Sequence, residues 1–378
     1  MTRRELLSLA AAASVAGAKR LSAVPAPAAP VSIAKCASYS EDLTAAISKM
    51  FDQIGGVERL VRNKTVTIKL NLTGSPGLRF QGKPLGSTHY TNPKTLSSMI
   101  YILDKAGAKR IRLVESAWGT SGPLEEYFLD SGWNVRAMQS ISSKLEFENT
   151  NALGKSKTYT RLKAKNGGFI FPAFDVNRAY QDTDVFMSMA KLKNHATCGV
   201  TLSMKNCFGI TPASIYGDDA GVDAPNENPT KGRGNVCHAG NRQPSKSALP
   251  EKDPHSSRDS GYRMPRIVAD LVAARPIDIA YIEGIETMKG GEGPWIRNVS
   301  FVKPGVMFLG TNPVSTDAVA TAVMGYDPRA PKGTAPFQTC DNTLLLAESL
   351  GVGSADLSRI EVVGTPIKDA LFKFAGAV

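Results

Sequence analysis

The clearest pattern of apolar and polar positions predicts a strand, a helix and a second strand in succession. Apolar residues take every second position from Val66 to Leu72, the period of a strand with one buried face. From Leu96 to Ala106 they recur at helical spacing, after the capping pair Asn92-Pro93 and before a terminating Gly107. A second strand follows from Ile111 to Val114. This order predicts a right-handed crossover in a parallel sheet.

The rest of the chain repeats this mixture of short apolar runs and helical periods. The predicted elements are a central buried strand from Val185 to Ala190, strands at Ile277 to Ile282, Val306 to Leu309 and Ile360 to Val363, and helices at residues 313–324 and Leu344 to Leu350. The pattern predicts an α/β fold with a mostly parallel or mixed sheet and flanking helices. Without an N-terminal segment of about 30 residues, which is described below, about 350 residues remain. This length exceeds that of a typical single-core domain, so we expect one large or two fused lobes.

Residues 214–265 interrupt this pattern. The segment is rich in Gly, Pro, Asn, Asp and Ser, and irregular loops of more than about 15 residues are uncommon in compact domains unless they are functional or disordered. We expect a lid over a binding site, with a disordered insert as the alternative.

The N-terminus has the pattern of an export signal. Arg3 and Arg4 precede an apolar run from Leu6 to Ala18, which is followed by small residues up to Pro30. This run is shorter than the ~20 residues that a membrane-spanning helix needs. The sequence predicts a twin-arginine-type signal over residues 1–30 and one α/β domain over 31–378. We therefore expect the export machinery as a partner, a periplasmic or extracytoplasmic location and no membrane span in the mature chain.

Charge and cysteine content exclude some functions. The formal charge of +11 falls to +8 without residues 1–29, and the basic residues are scattered among few aromatic ones. Nucleic-acid binding would need a basic stripe with stacking rings, so we expect no nucleic-acid partner. The five cysteines contain no Cys-x-x-Cys pair, so the spacing of an iron–sulfur cluster is missing. They are either core residues or members of one or two disulfides.

Candidate chemistry gathers at the predicted strand ends, because ligands of parallel sheets bind beyond the carboxyl ends of the strands. The candidate catalytic residues are Glu115, Glu283 and His195, and the candidate ligand-binding residues are Asn71, Lys191, Lys193, Lys205 and Asn206. Cations and amides suit an anionic ligand, and carboxylates or a histidine suit proton transfer. A short helix over 198–208 would also point its N-terminus at the group around Lys193 and His195.

Each of these residues also has a purely structural interpretation. Asn71 is an ordinary turn residue, Glu115 could cap a helix, and the lysines could be solvated. Asp317 lies in the first turn of a predicted helix, where the helix dipole alone favours a carboxylate.

A metal site is a further alternative. His195, with His238 or His255 and with Glu115 or Glu283, offers nitrogen and oxygen ligands. Their spacing in the sequence does not identify such a site, so the metal and the cofactor remain unknown.

Several segments resemble the DUF362 family, a domain of unknown function. They are Lys69 to Leu72, Lys191 to His195, Thr201 to Ile210, Pro276 to Ile285, Gly291 to Pro294 and Asp317 to Ala320. The resemblance covers roughly residues 31–365. Some relatives carry an added iron–sulfur segment, but this chain lacks the required cysteines. The resemblance therefore implies no particular cofactor and no catalytic residues.

The sequence thus predicts an exported protein that binds a small anionic or cofactor-like molecule. It is either an enzyme, redox or metal-assisted, or a non-catalytic protein that binds a ligand or metal.

Overall fold

A computed structural model describes residues 25–151 and 158–374. Most of the predicted signal segment, residues 1–24, lies outside this part. The strands of the described residues are β1 (Val31–Lys35), β2 (Thr65–Lys69), β3 (Arg110–Glu115), β4 (Leu145–Asn149), β5 (Tyr159–Lys163), β6 (Ala173–Asn177), β7 (Val185–Lys191), β8 (Asn194–His195), β9 (Gly199–Val200), β10 (Ile279–Gly284), β11 (Thr287–Lys289), β12 (Ser300–Val302), β13 (Val306–Gly310) and β14 (Val362–Gly364).

The α-helices of the same residues are short to medium in length. They are α1 (Leu43–Gln53), α2 (Glu58–Val61), α3 (Pro93–Lys105), α4 (Leu124–Asp130), α5 (Val135–Gln139), α6 (Leu202–Asn206), α7 (Ala213–Tyr216), α8 (Ser260–Ala274), α9 (Pro313–Val323), α10 (Thr343–Ser349) and α11 (Ile367–Ala370). The predicted cap of α3 is present, because the Asn92 side chain accepts a hydrogen bond from the Lys94 amide at 2.9 Å.

Eight strands form one sheet in the order β14-β1-β13-β10-β7-β2-β3-β4. The run from β10 to β4 is parallel, and β13 lies antiparallel to both of its neighbours. The prediction of a mostly parallel or mixed α/β sheet is confirmed. Strands from both parts of the sequence share this sheet, so its parallel centre brings their carboxyl ends to one edge.

Helices cover both faces of the sheet and create two cores. Alternate residues of each strand point to opposite faces. Met187 and Met189 of β7 belong to the core with α1 and α3. Phe186 and Ala190 of the same strand belong to the core with α8, α9 and α10. A strand buried on both faces reads as an unbroken apolar run, which is the pattern of residues 185–190.

Buried polar contacts connect the segment 214–265 to the start of α8, with which it overlaps at residues 260–265. Glu251 is 5% exposed and accepts hydrogen bonds from Arg258 and Arg263 at 2.8 Å, where Arg263 lies on α8. Another part of the segment reaches the carboxyl edge of the sheet, where Arg233 and His238 line a pocket.

Candidate functional site

A pocket of about 400 Å³ opens at the carboxyl edge of the parallel strands. Five predicted site residues line it, namely Asn71, Glu115, His195, Lys205 and Asn206. The other lining residues are Lys69, Leu72, Thr73, Gly74, Leu78, Ser116, Trp118, Thr201, Phe208, Gly209, Gly232, Arg233, His238, Glu292 and Trp295. Its volume lies in the range of sites that hold small organic ligands.

A buried ion pair forms one wall of this pocket. Lys69 ends β2 and Glu115 ends β3, and their Nζ and Oε1 atoms are 2.6 Å apart. Lys69 also donates to the Leu70 carbonyl at 2.6 Å, and Glu115 Oε2 accepts from the Leu72 amide at 3.0 Å. Burial lowers the pKa of Lys69 and raises that of Glu115, while their mutual attraction opposes both changes. Both shifts favour the neutral forms of the two groups.

The backbone of Gly209 lies directly against this ion pair. A Cβ at this position would lie 2.6 Å from Glu115 Oε1 and 2.6 Å from Lys69 Nζ. A side chain at residue 209 would therefore displace the pair. Asn206, which precedes this turn, donates to Ser188 Oγ at 2.9 Å and to the Lys69 carbonyl at 3.3 Å.

Two cations border the pocket without a carboxylate partner among the described residues. Lys205 Nζ lies 4.5 Å from the centre of the Phe208 ring, and the Arg233 guanidinium lies 4.9 Å from it. Arg233 also donates a hydrogen bond to the Thr211 carbonyl. Among the described residues, the Lys205 ammonium contacts this ring and makes no close ion pair, while the Glu292 carboxylate attracts it from a greater distance. Burial lowers the pKa of Lys205; Cys198 and Glu292 oppose this change, and Arg233 and Lys69 add to it.

The histidines at the pocket are neutral near pH 7. Burial, together with the positive charge of Lys205, keeps the pKa of His195 well below its usual range and lowers that of His238 to about 4. His195 Nδ1 accepts a hydrogen bond from the Thr197 amide at 3.1 Å. The proton of the neutral ring therefore resides on Nε2, and His195 can donate one hydrogen bond.

Asp317 fixes the helix that carries Lys205 and Asn206. Its Oδ1 accepts from the Ser203 amide at 2.9 Å and its Oδ2 from the Met204 amide at 3.0 Å. The first residue of this helix, Leu202, has a φ of 45°, a strained conformation for a leucine. The prediction that this helix directs its N-terminus at the pocket was wrong, because Asp317 occupies its first amides.

Asn71 presents an unsatisfied polar atom at the same edge. The residue is 4% exposed, and its Nδ2 donates to Thr73 Oγ1 at 3.2 Å. Its buried Oδ1 has no hydrogen-bond partner among the described residues. Because such atoms are normally paired, Asn71 is suited to accept a hydrogen bond from a bound molecule.

Three predicted site residues lie outside the pocket lining. Lys191 and Glu283 are opposed in the register of β7 and β10, and their Nζ and Oε2 atoms are 2.6 Å apart in a fully buried pair. Lys193 Nζ donates to the carbonyls of His89 and Glu292, each at 3.0 Å. Burial lowers the pKa of Lys193 to about 7.

Sequence reasoning did not select Lys69 or Arg233 as site residues. Lys69 had a usable signal, because a lysine at the end of a strand otherwise buried is unusual. Arg233 lies in the irregular segment 214–265, where no period relates it to the sheet. Only the folded chain brings it to the pocket.

The alternatives for the metal site and the cysteines can be compared with the structure. Within residues 25–151 and 158–374, no group of three or more His, Cys, Asp or Glu residues has the arrangement of a metal site. His255 is exposed and does not line the pocket.

All five cysteines lie in the described residues, where they are buried and free, as core residues would be. No helix there is long and apolar enough to cross a membrane.

Comparisons with known proteins identify relatives without assigning an activity. The sequence profile described as "Domain of unknown function (DUF362)" matches residues 66–322. A thylakoid-associated protein of Synechocystis sp. is 24% identical over 200 residues, which cover 51% of this chain and 55% of that protein. The chain thus spans about half the length of this curated relative.

Two solved structures are similar at low identity. One is a structural genomics target from Thermotoga maritima, with 13% identity and a TM-score of 0.36 over 70% of this chain and 54% of that one. The other is the lactate racemase apoprotein from Thermoanaerobacterium thermosaccharolyticum, with 12% identity and a TM-score of 0.35 over 73% and 54%.

Proposed function

Because the chain belongs to the DUF362 family, a domain of unknown function, we propose a function from the pocket itself: it binds a small molecule through an anionic group such as phosphate or carboxylate. The supporting observation is Lys205. Its ammonium borders the pocket and makes no close ion pair or side-chain hydrogen bond among the described residues, where the Glu292 carboxylate attracts it only from a greater distance.

The energetics of Lys205 favour an anionic partner. A lysine that is 9% exposed has lost most of its hydration, and an unpaired charge in such a place is costly. The contact with Phe208 returns only ~0.5–2 kcal/mol. A bound anion would pair with Lys205 and with Arg233 on the same ring, and the free Asn71 Oδ1 and the His195 Nε2–H provide polar contacts beside it.

We further propose that the protein is an enzyme that transfers a proton with the Lys69–Glu115 pair. The two groups are 2.6 Å apart and line the same pocket as the cations. Since burial favours the neutral form of both, the pair can accept or release a proton. The redox and metal-assisted classes have no comparable support from the described residues.

A binding protein without catalysis is the second candidate. Lys69 and Glu115 each make further hydrogen bonds to the backbone, as expected of groups that only maintain the shape of the pocket. Such a protein would capture the same anions and leave them unchanged.

Calorimetric titration with inorganic phosphate and acetate tests the anion site. Lys205→Met and Arg233→Met should each weaken binding by roughly tenfold or more, because a charge-assisted hydrogen bond contributes ~1.5–3 kcal/mol. Lys246→Met is the matched control, since this exposed lysine lies in the 214–265 segment, as Arg233 does, and its one ion pair among the described residues is with exposed Asp223. Wild-type binding by the Lys205→Met, Arg233→Met double variant would refute the anion site.

Mass spectrometry of a metabolite extract distinguishes the enzyme from the binding protein. An enzyme should consume a compound that binds at Lys205, and Glu115→Gln should still bind that compound but leave it unconverted. Enrichment of the same compound without conversion by either protein would favour the binding protein.

We also propose export by the twin-arginine pathway, based on Arg3 and Arg4 before the apolar run. Residues 1–35 fused to a reporter that is active only outside the cytoplasm should give a signal. Changing both arginines to lysine should abolish it, and an unchanged signal would contradict this route.

A further inference from the structure

Large apolar side chains remain exposed at the entrance of the pocket. Leu78 is 43% exposed, Trp118 47% and Trp295 42%, and all three line the pocket. We call the two tryptophans, Trp118 and Trp295, the aromatic mouth. Exposed apolar surface gathered in one place commonly marks a binding site. The other large exposed side chains of the described residues, such as Leu129, lie outside the pocket.

The Trp295 ring is held in place by close backbone contacts. A Cβ on Gly74 would lie 2.7 Å from the ring, and one on Gly293 would lie 2.2 Å from it. The two glycines therefore allow the ring to approach the backbone of two separate loops. The ring also makes an edge contact with His89, with centroids 5.8 Å apart, and its Nε1 donates to Glu292 Oε1 at 3.3 Å. Trp295 is thus a fixed ring that remains partly uncovered.

Trp118 reaches the mouth from a different part of the fold. It follows β3, and its Nε1 lies 3.4 Å from the position that a Cβ on Gly232 would take. Gly232 precedes Arg233, so the segment that supplies a pocket cation also passes beside this ring. The described contacts do not cover Trp118, which leaves about half of its surface open.

The pocket is much larger than an inorganic anion. Its volume of about 400 Å³ corresponds to more than ten water molecules at about 30 Å³ each. The cations Lys205 and Arg233 both contact the Phe208 ring and therefore lie in one part of the pocket. The remaining space is bordered by the aromatic mouth, where a planar ring could stack on indole.

We infer that the ligand is a planar aromatic ring system that carries a phosphate or carboxylate group. The anionic group pairs with Lys205 and Arg233, and the ring lies against Trp118 and Trp295. This inference rests on the proposed anion site, because it assigns the rest of the molecule that the site would hold.

Four probes test the inference by calorimetric titration: naphthyl phosphate, cyclohexyl phosphate, naphthoate and inorganic phosphate. Naphthyl phosphate should bind at least about tenfold more tightly than inorganic phosphate, and more tightly than the non-planar cyclohexyl phosphate. Comparison of naphthyl phosphate with naphthoate identifies the preferred anionic group.

Variants of the mouth locate the effect. Trp118→Ala and Trp295→Ala should each weaken naphthyl phosphate binding by about fivefold or more and leave inorganic phosphate binding unchanged. Trp295→Phe should retain most of the affinity because it keeps a ring. Leu129→Ala is the control, since it removes a side chain that is 61% exposed away from the pocket.

The outcomes separate this inference from the proposed function. If naphthyl phosphate binds no better than cyclohexyl or inorganic phosphate, while Lys205→Met still weakens all three, the inference is wrong and the anion site stands. If no phosphate compound binds in a Lys205-dependent way, both are wrong.

Discussion

Gly209→Ala is the substitution whose effect follows most directly from the geometry of the site. The new methyl carbon would lie 2.6 Å from both Glu115 Oε1 and Lys69 Nζ, and 2.7 Å from Lys69 Cε. Ordinary contact between carbon atoms requires about 3.5–4.0 Å. Each side chain would therefore have to retreat by nearly 1 Å.

Burial and hydrogen bonds restrain both side chains against this movement. Lys69 is 1% exposed and Glu115 is 3% exposed, and both are tied to the backbone by hydrogen bonds at 2.6 and 3.0 Å. Overpacking of a filled interior costs about 1–3 kcal/mol, and separation of a buried ion pair adds to that cost. We expect Gly209→Ala to lower the free energy of unfolding by about 2–4 kcal/mol.

Urea unfolding followed by tryptophan fluorescence measures this change. Gly77→Ala is the control, because a Cβ there has one neighbour at 3.7 Å, in ordinary contact. Its cost should stay within about 0.5 kcal/mol. In a Lys69→Ala, Glu115→Ala background, the space around residue 209 is vacated and Gly209→Ala should cost little. An equal cost in both backgrounds would show that the ion pair is not the obstacle and would refute this reasoning.

Two other predictions concern buried charges. Lys191→Met should lower the free energy of unfolding by about 3–5 kcal/mol because it leaves the Glu283 carboxylate buried without its cationic partner. The affinity for phosphate should not change. A Lys191→Met, Glu283→Leu double variant that is no more stable than the single variant would contradict this cause. Burial raises the pKa of Asp317 from 3.8 to about 7, so the native state binds a proton more readily than the unfolded chain does. The stability of the wild-type protein should therefore fall, relative to that of Asp317→Asn, as the pH rises from 4 to 7. Urea unfolding of both proteins across this range checks the sign, and a parallel pH dependence would exclude Asp317 as its source.

Local patterns in the sequence were sufficient to predict the elements. The period of two before Lys69, the Asn92-Pro93 cap and the apolar run at 185–190 each describe interactions within a few residues, and these depend little on the rest of the chain. The parallel arrangement then followed from the strand–helix–strand order, so the sheet edge that carries the candidate site was also predictable.

Which polar residues meet in the pocket depended on the tertiary structure. Lys191 and Lys193 end the same strand region as His195, yet their ammonium groups turn into buried contacts with Glu283 and with backbone carbonyls. The position of a residue in the sequence indicates which strand end it belongs to. It does not indicate whether the side chain forms a buried ion pair or a hydrogen bond inside the protein.

The α/β class, the order of most elements and the strand ends that carry the candidate site could all be predicted from local sequence patterns. Three features became visible only in the folded chain: Lys69 pairs with Glu115 across two strands, Asp317 occupies the amides of the helix bearing Lys205, and Arg233 reaches the pocket from an irregular segment. The physical reason is range: hydrophobic periodicity and capping act over a few residues, whereas charge pairing and the shape of a pocket depend on atoms that are far apart in the chain and meet only after folding.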